Sequence, residues 1–289
     1  MDRPEPSTAL KDMRLAHASP ASRFAIVEGC DLHWIEDGYA TDLPAVLLLS
    51  AQWLGASHFE DFAQALAGRT RVLRLDLPGH GLSGPFADGD HSAQAHARLV
   101  RAFAAHAGAG RHVVVGQSHS GIAAALLAAD PPEGLAGLVL ATSSGMPRDR
   151  SLSTGVGAAA TQRAGSLQWY AERLRGLFRR PRDAAAFGAI VAAARGYGEL
   201  PGRAEESARR LAQFEPELLA RTLPQVAVPT LVTWSEHSTY LPVAMAGAIA
   251  ALLPDCRGTA VIPDTGHLLL ADAPQDAADR ILAFLETLA

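Results

Sequence analysis

From Phe24 onward, short apolar runs alternate with amphipathic stretches. Phe24–Glu28 and Asp31–Glu36 predict two paired strands joined near Gly29, and Ala45–Leu49 is apolar throughout, as in a strand covered on both faces. His58–Ala67 sets Phe59, Phe62 and Leu66 on one helical side. Arg71–Leu77 predicts the next strand, stopped by Pro78-Gly79-His80-Gly81. Helix Ser92–Ala107, strand His112–Val115, helix Ile122–Ala129 and strand Leu138–Ala141 follow. Between about Met146 and Leu223 only helical spacing is seen, broken at Gly165, Pro181, Gly196-Tyr197-Gly198 and Pro201. The alternation resumes at Pro229 with strand Thr230–Thr233, helix Val243–Leu253 and strand Thr259–Ile262. The last helix, Pro274–Leu288, carries Ala278, Ile281, Leu282, Leu285 and Leu288 on one stripe. Strands alternating with helices predict an α/β fold, a mostly parallel, doubly wound sheet with a helical cap insertion. The expected division is a partly disordered tail at 1–22, a core at 23–145 and 223–289, and a cap at 146–222.

Composition narrows the class. With 289 residues, 48% hydrophobic and 19% charged, the chain can bury a large core. A net charge of −5 argues against a nucleic-acid partner. The arginine-rich stretch Arg173–Arg182 is interrupted by Leu, Gly, Phe and Pro and reads as a solvated helix face. Cys30 and Cys256 form no CxxC pair and read as free thiols in a reducing cytoplasm. No apolar run has the length of a membrane span, and Met1–Pro20 lacks the apolar centre of a secretion signal. No histidine pair has metal-ligand spacing, so neither metal nor cofactor is expected.

The sharpest local signal is Val113-Val114-Val115-Gly116-Gln117-Ser118-His119-Ser120-Gly121. An apolar strand runs into small-X-Ser-X-small, and a helix follows. A nucleophile at the tip of such a bend has strained backbone angles and needs small neighbours, here Gly116 and Ser120. The helix start behind Ser118 offers free N–H groups to a developing anion. His267, in Pro263-Asp264-Thr265-Gly266-His267-Leu268, lies between the last strand and the last helix, where a base would follow the nucleophile in chain order. His80 reads as a loop-holding residue. His33, His58, His91, His96, His106 and His112 fit exposed helices or strand ends.

Three segments together resemble the α/β-hydrolase superfamily over nearly the whole chain: "RVLRLDLPGHGLS" at 71–83, "GQSHSG" at 116–121 and "DTGHLLLADAP" at 264–274. Leu49-Ser50-Ala51-Gln52-Trp53-Leu54-Gly55 looks like the loop of enol-lactonases, and capped carbon–carbon hydrolases and esterases are similar. The resemblance implies that the backbone N–H groups of Gln52 and His119 bind an oxyanion. It also exposes a departure: in Pro229–Ser238, "PTLVTWSEHS", Ser238 stands where the family has its Asp. Thr142-Ser143-Ser144, the other family position for an acid, has no carboxylate. Losing the acid's function in a serine protease lowers kcat by about 10⁴. Either Glu236 substitutes, or a Ser–His dyad works alone on activated substrates, or the chemistry is not ordinary hydrolysis.

The expected activity is hydrolysis of a small ester, lactone or vinylogous ketone through Ser118 and His267. Two alternatives are a non-hydrolytic relative, such as a cofactor-free dioxygenase, and a catalytically weak ligand-binding protein. The expected partner is an apolar or aromatic small molecule. Trp53, Met146, Trp169 and Tyr240 are the candidate lining, with Tyr170, Phe178, Phe187 and Tyr197. Neither nucleic acid nor membrane is an expected partner; a homodimer is compatible with the sequence.

Overall fold

A computed structural model describes residues 7–51, 54–147, 166–180 and 183–289. Eight strands form one sheet: β1 (Ser22–Val27), β2 (Cys30–Asp37), β3 (Ala45–Leu49), β4 (Val72–Leu75), β5 (His112–Gln117), β6 (Leu135–Ala141), β7 (Thr230–Ser235) and β8 (Cys256–Ile262). Their spatial order is β1-β2-β4-β3-β5-β6-β7-β8. β1 and β2 are antiparallel, and β2 runs antiparallel to β4; every later pairing is parallel. Glu28 and Gly29 join the first hairpin with φ of 48° and 76°. Two positive-φ residues match the twist of a two-residue hairpin turn.

The central strands alternate their side chains between two cores, as the two-residue period of a strand requires. Leu47, Leu49, Val114, Leu138, Leu140 and Val232 face the layer built by α3 (Ala93–His106), α4 (Ser120–Ala129) and α9 (Ala244–Leu252). Val46, Leu48, Val113, Val115, Val139 and Leu231 face α2 (Glu60–Ala67) and α11 (Pro274–Glu286). The predicted doubly wound sheet is therefore observed, with β8 starting three residues earlier than expected. Between β6 and β7 the described residues contain α5 (Leu167–Arg175), α6 (Ala184–Gly198), α7 (Arg203–Ala212) and α8 (Leu218–Thr222). Among the described residues, no helix is long and apolar enough to cross a membrane.

Two expectations need correction. The N-terminal tail contains a docked helix, α1 (Thr8–His17), started by the Ser7 hydroxyl, which accepts Leu10 N–H at 3.3 Å. Arg14 fastens it, donating to Asp31 at 2.9 Å and twice to Leu82 O at 2.9 and 3.1 Å. The alternation of charge with Pro and Ser before residue 20 hid a helix whose partners lie elsewhere in the chain. Second, His33, His91, His96 and His112 are buried. Other elements cover them, which local polarity does not reveal.

Candidate active site

β5 ends in a bend in which Ser118 has φ of 58°. For a residue with a side chain that conformation costs about 1–2 kcal/mol, so the surroundings must enforce it. Ser118 N–H donates to Ala141 O at 3.1 Å, while Ser118 O accepts from Gly121 N–H at 3.2 Å and Ser144 N–H at 3.0 Å. The small residues that permit the bend are Gly116 and Gly121: a Cβ on Gly116 would lie 2.6 Å from Gly121 Cα, and one on Gly121 would lie 2.2 Å from Ser143 Oγ. The requirement assigned to Ser120 thus falls on its neighbour. Ser120 Oγ instead ties the bend together, accepting Gln117 N–H at 3.0 Å and donating to Gln117 O at 2.9 Å.

The loop after β8 brings His267 to this bend. Its Nε2 lies 2.9 Å from Ser118 Oγ, and its Nδ1 lies 3.0 Å from Ser238 Oγ. Ser238 Oγ also accepts Leu241 N–H at 3.2 Å. In the tautomer protonated at Nδ1, the ring donates to Ser238 and accepts the Ser118 proton at Nε2. Trp234 Nε1–H, donating to Leu241 O at 3.2 Å, anchors the loop that carries Ser238. Tyr240 stands edge-on to the imidazole, with ring centroids 5.3 Å apart.

Glu236 does not take the acid's place. It is half exposed, accepts Asp264 N–H at 2.9 Å and pairs with His237 at 3.2 Å. As the second-to-last residue before Ser238 it points to the outer side of the loop. Nor is Asp76 free to serve: Ala56 N–H at 2.6 Å, Leu82 N–H at 2.9 Å and the His33 ring at 2.7 Å occupy its oxygens.

Two positioning residues escaped the sequence reading. Gln117 Nε2 donates to His267 O at 3.2 Å, linking the bend directly to the histidine loop. Asp272 is buried and accepts three backbone N–H groups: Gly266 at 2.7 Å, Arg179 at 2.9 Å and Arg180 at 3.1 Å. It therefore clamps the histidine loop to the segment after α5. The signal was present in the quoted "GHLLLADAP", where Asp272 is the charged residue of an otherwise apolar run.

His119 caps α4, and its N–H has no acceptor among the described residues. Its ring is stacked on His80, with centroids 5.2 Å apart and planes at 16°. Burial, first of all, and then the charge of Arg210 hold both imidazoles well below the ordinary histidine value. His80 Nδ1 lies 3.1 Å from Pro78 O, in keeping with a loop-holding role. Gln52 and Trp53 lie outside the described residues. Met146 is buried in the α3–α4 core, and Trp169 packs edge-on to Tyr170 with Arg173 above its ring.

A family model described as "Alpha/beta hydrolase family" matches residues 46–280. Haloalkane dehalogenase 2 of Mycobacterium tuberculosis is 26% identical over 87% of this chain and 90% of its own length. The magnesium-chelatase 30 kDa subunit of Rhodobacter capsulatus is 27% identical over 88% and 90%. A solved structure of a membrane phospholipase A, described as a novel bacterial virulence factor, superposes with a TM-score of 0.79 at 24% identity, covering 97% of this chain and 91% of that one.

Proposed function

Because the chain belongs to the α/β-hydrolase family, we propose that it is a serine hydrolase of small esters or lactones, working through a Ser118–His267–Ser238 chain. Relatives with unlike activities lie at similar identity, so the site and not the degree of likeness has to carry the argument. The observation that carries it is the continuous run from Ser118 Oγ to His267 Nε2 at 2.9 Å and from Nδ1 to Ser238 Oγ at 3.0 Å.

In this reading His267 Nε2 takes the Ser118 proton as Oγ attacks the carbonyl carbon. The oxyanion is met by His119 N–H, with Gln52 N–H as the second donor. The imidazolium returns its proton to the leaving alcohol. Water, deprotonated by His267, then attacks the acyl-serine and releases the acid. Ser238 holds the ring tautomer as a carboxylate would, but it brings no negative charge to the imidazolium. A neutral hydrogen bond is roughly half as strong as a charge-assisted one, so the site suits activated carbonyls. The insert helices act as a cap over the centre, and Tyr240, edge-on to His267, belongs to its apolar lining. The stacking of His119 on His80 supports a packing role for that ring, so a cofactor-free oxygenase gains no support from it.

The test is labelling by a fluorophosphonate together with burst kinetics on nitrophenyl esters. The expected result is one labelled serine, at 118, and a burst that Ser118→Ala removes. Undiminished ester turnover in that variant would sink the proposal.

A further inference from the structure

Beside the bend, a partly open cavity of about 40 Å³ is lined by α3, α4, the end of α7 and the residues that follow it into α8. Its polar wall includes His91, His96, His119, Arg210, Gln213 and Glu215. About 10–15 Å³ suffices for one water, so the space admits a few waters or one small ion. Six nitrogens around it are buried and have no hydrogen-bond partner among the described residues: Arg210 Nη1, both ring nitrogens of His91, both of His119 and His96 Nε2. Native interiors leave few such groups, and each costs stability unless something fills the site.

The charges decide what that something is. Arg210 Nη2 reaches Ser207 Oγ at 3.4 Å, and among the described residues no carboxylate pairs with this guanidinium. Glu206 is held by Arg203 at 3.2 Å, and Glu215 is occupied by Arg221 and Gln94, both at 2.8 Å. Asp90 pairs with Arg98 at 3.3 Å. Burial lowers Arg210 only to about 10, so it stays charged at neutral pH. Burial, followed by Arg210 itself, keeps His91 at about 4, so its ring is neutral and offers one N–H. A cation would face the guanidinium. Among the described residues no three His, Cys, Asp or Glu side chains converge as metal ligands.

We propose that this cavity binds a small monoanion of carboxylate size. Arg210 Nη1 supplies the charge, and the neutral His91 and His119 rings supply N–H donors. Because His119 follows Ser118 directly, an occupant also fixes the residue whose backbone N–H faces the proposed oxyanion. The anion is either the carboxylate end of a substrate or a free ion such as formate.

Sodium formate is the probe, titrated at constant ionic strength against sodium perchlorate. Formate is expected to raise the Tm of the wild type and to shift the side-chain ¹⁵N resonances of His91 and His119. Ser118→Ala is expected to keep both responses, so the pocket stands or falls independently of the hydrolase reading. Arg210→Gln is expected to weaken formate affinity about tenfold or more, the order of one charge-assisted hydrogen bond. Arg210→Lys, should the first variant fold poorly, is expected to retain part of the affinity. No formate response in the wild type, or an equal response in a folded Arg210→Gln protein, overturns the proposal. Nitrophenyl hemisuccinate against nitrophenyl butyrate separates the two sources. A fall of about tenfold in the ratio of their kcat/KM values in Arg210→Gln supports a substrate carboxylate, and an unchanged ratio beside lost formate binding supports a free anion.

Discussion

His267 and the histidines of the Arg210 cavity lie on neighbouring parts of one molecule and differ in how they are held. His267 sits on a loop between β8 and α10 (Leu269–Asp272) and has a hydroxyl at each ring nitrogen. His91 and His119 are packed beneath the insert, and among the described residues their ring nitrogens have none. The first arrangement is built from strand ends, where the sheet sets the spacing and loops fill it in. The second exists only because α7 closes over α3 and α4. The two therefore respond to different perturbations.

The largest expected effect strikes the first region alone. Ser118→Ala or His267→Ala should lower kcat on an activated ester by about 10⁴–10⁶, and the double variant should be little worse, because the pair acts as a unit. Additive losses, measured by steady-state kinetics, would mean that the two side chains work separately.

Asp272→Ala should destabilise the fold by about 3 kcal/mol in urea denaturation, since three backbone N–H groups lose their acceptor. Activity should fall with it, because the same contacts hold the histidine loop.

Acid should strike the second region first. Burial and neighbouring arginines hold His91 and His96 at about 4 in the folded state, against 6.5 for an ordinary histidine. Their contribution to stability is present above pH 6.5 and is lost as pH falls toward 4, because the unfolded chain takes up protons that the folded one refuses. The slope is at most about 1.4 kcal/mol per pH unit for each ring. His80 and His119, lowered further, extend the loss to lower pH. Glu206, raised by burial, opposes it as pH falls from that raised value to the ordinary 4.5. Tm measured from pH 7.5 to 5 should fall, and a flat profile would contradict the burial of these rings.

The smallest effects separate Ser238 from a true triad acid. Ser238→Ala should reduce kcat about five- to tenfold, the worth of one neutral hydrogen bond, and not the about 10⁴ of a lost carboxylate. Ser238→Asp should raise kcat. Glu236→Gln should change it less than about twofold, as expected of a surface pair.

Much of this was legible beforehand for identifiable reasons. The runs at Ala45–Leu49 and Val113–Val115 are covered on both faces, so periodicity alone marks them as inner strands. Ser118 and His267 could be singled out because each occupies a junction between a strand and a helix. Ser238 was recognised by its position, but its contact with His267 depends on how the loop after β7 turns. The same turn sends Glu236 outward. Gly121 outranks Ser120 because of Ser143, just past the end of β6, a neighbour no local window contains.

The chain on its own determined the order of strands and helices, the bend at Ser118 and the loop of His267, since each follows from patterns within a dozen residues. Tertiary structure alone decided that a hydroxyl stands behind the imidazole, that α1 is docked and that Arg210 meets buried histidines. Those outcomes depend on which side chains distant segments bring together, and that is set by packing across the whole molecule.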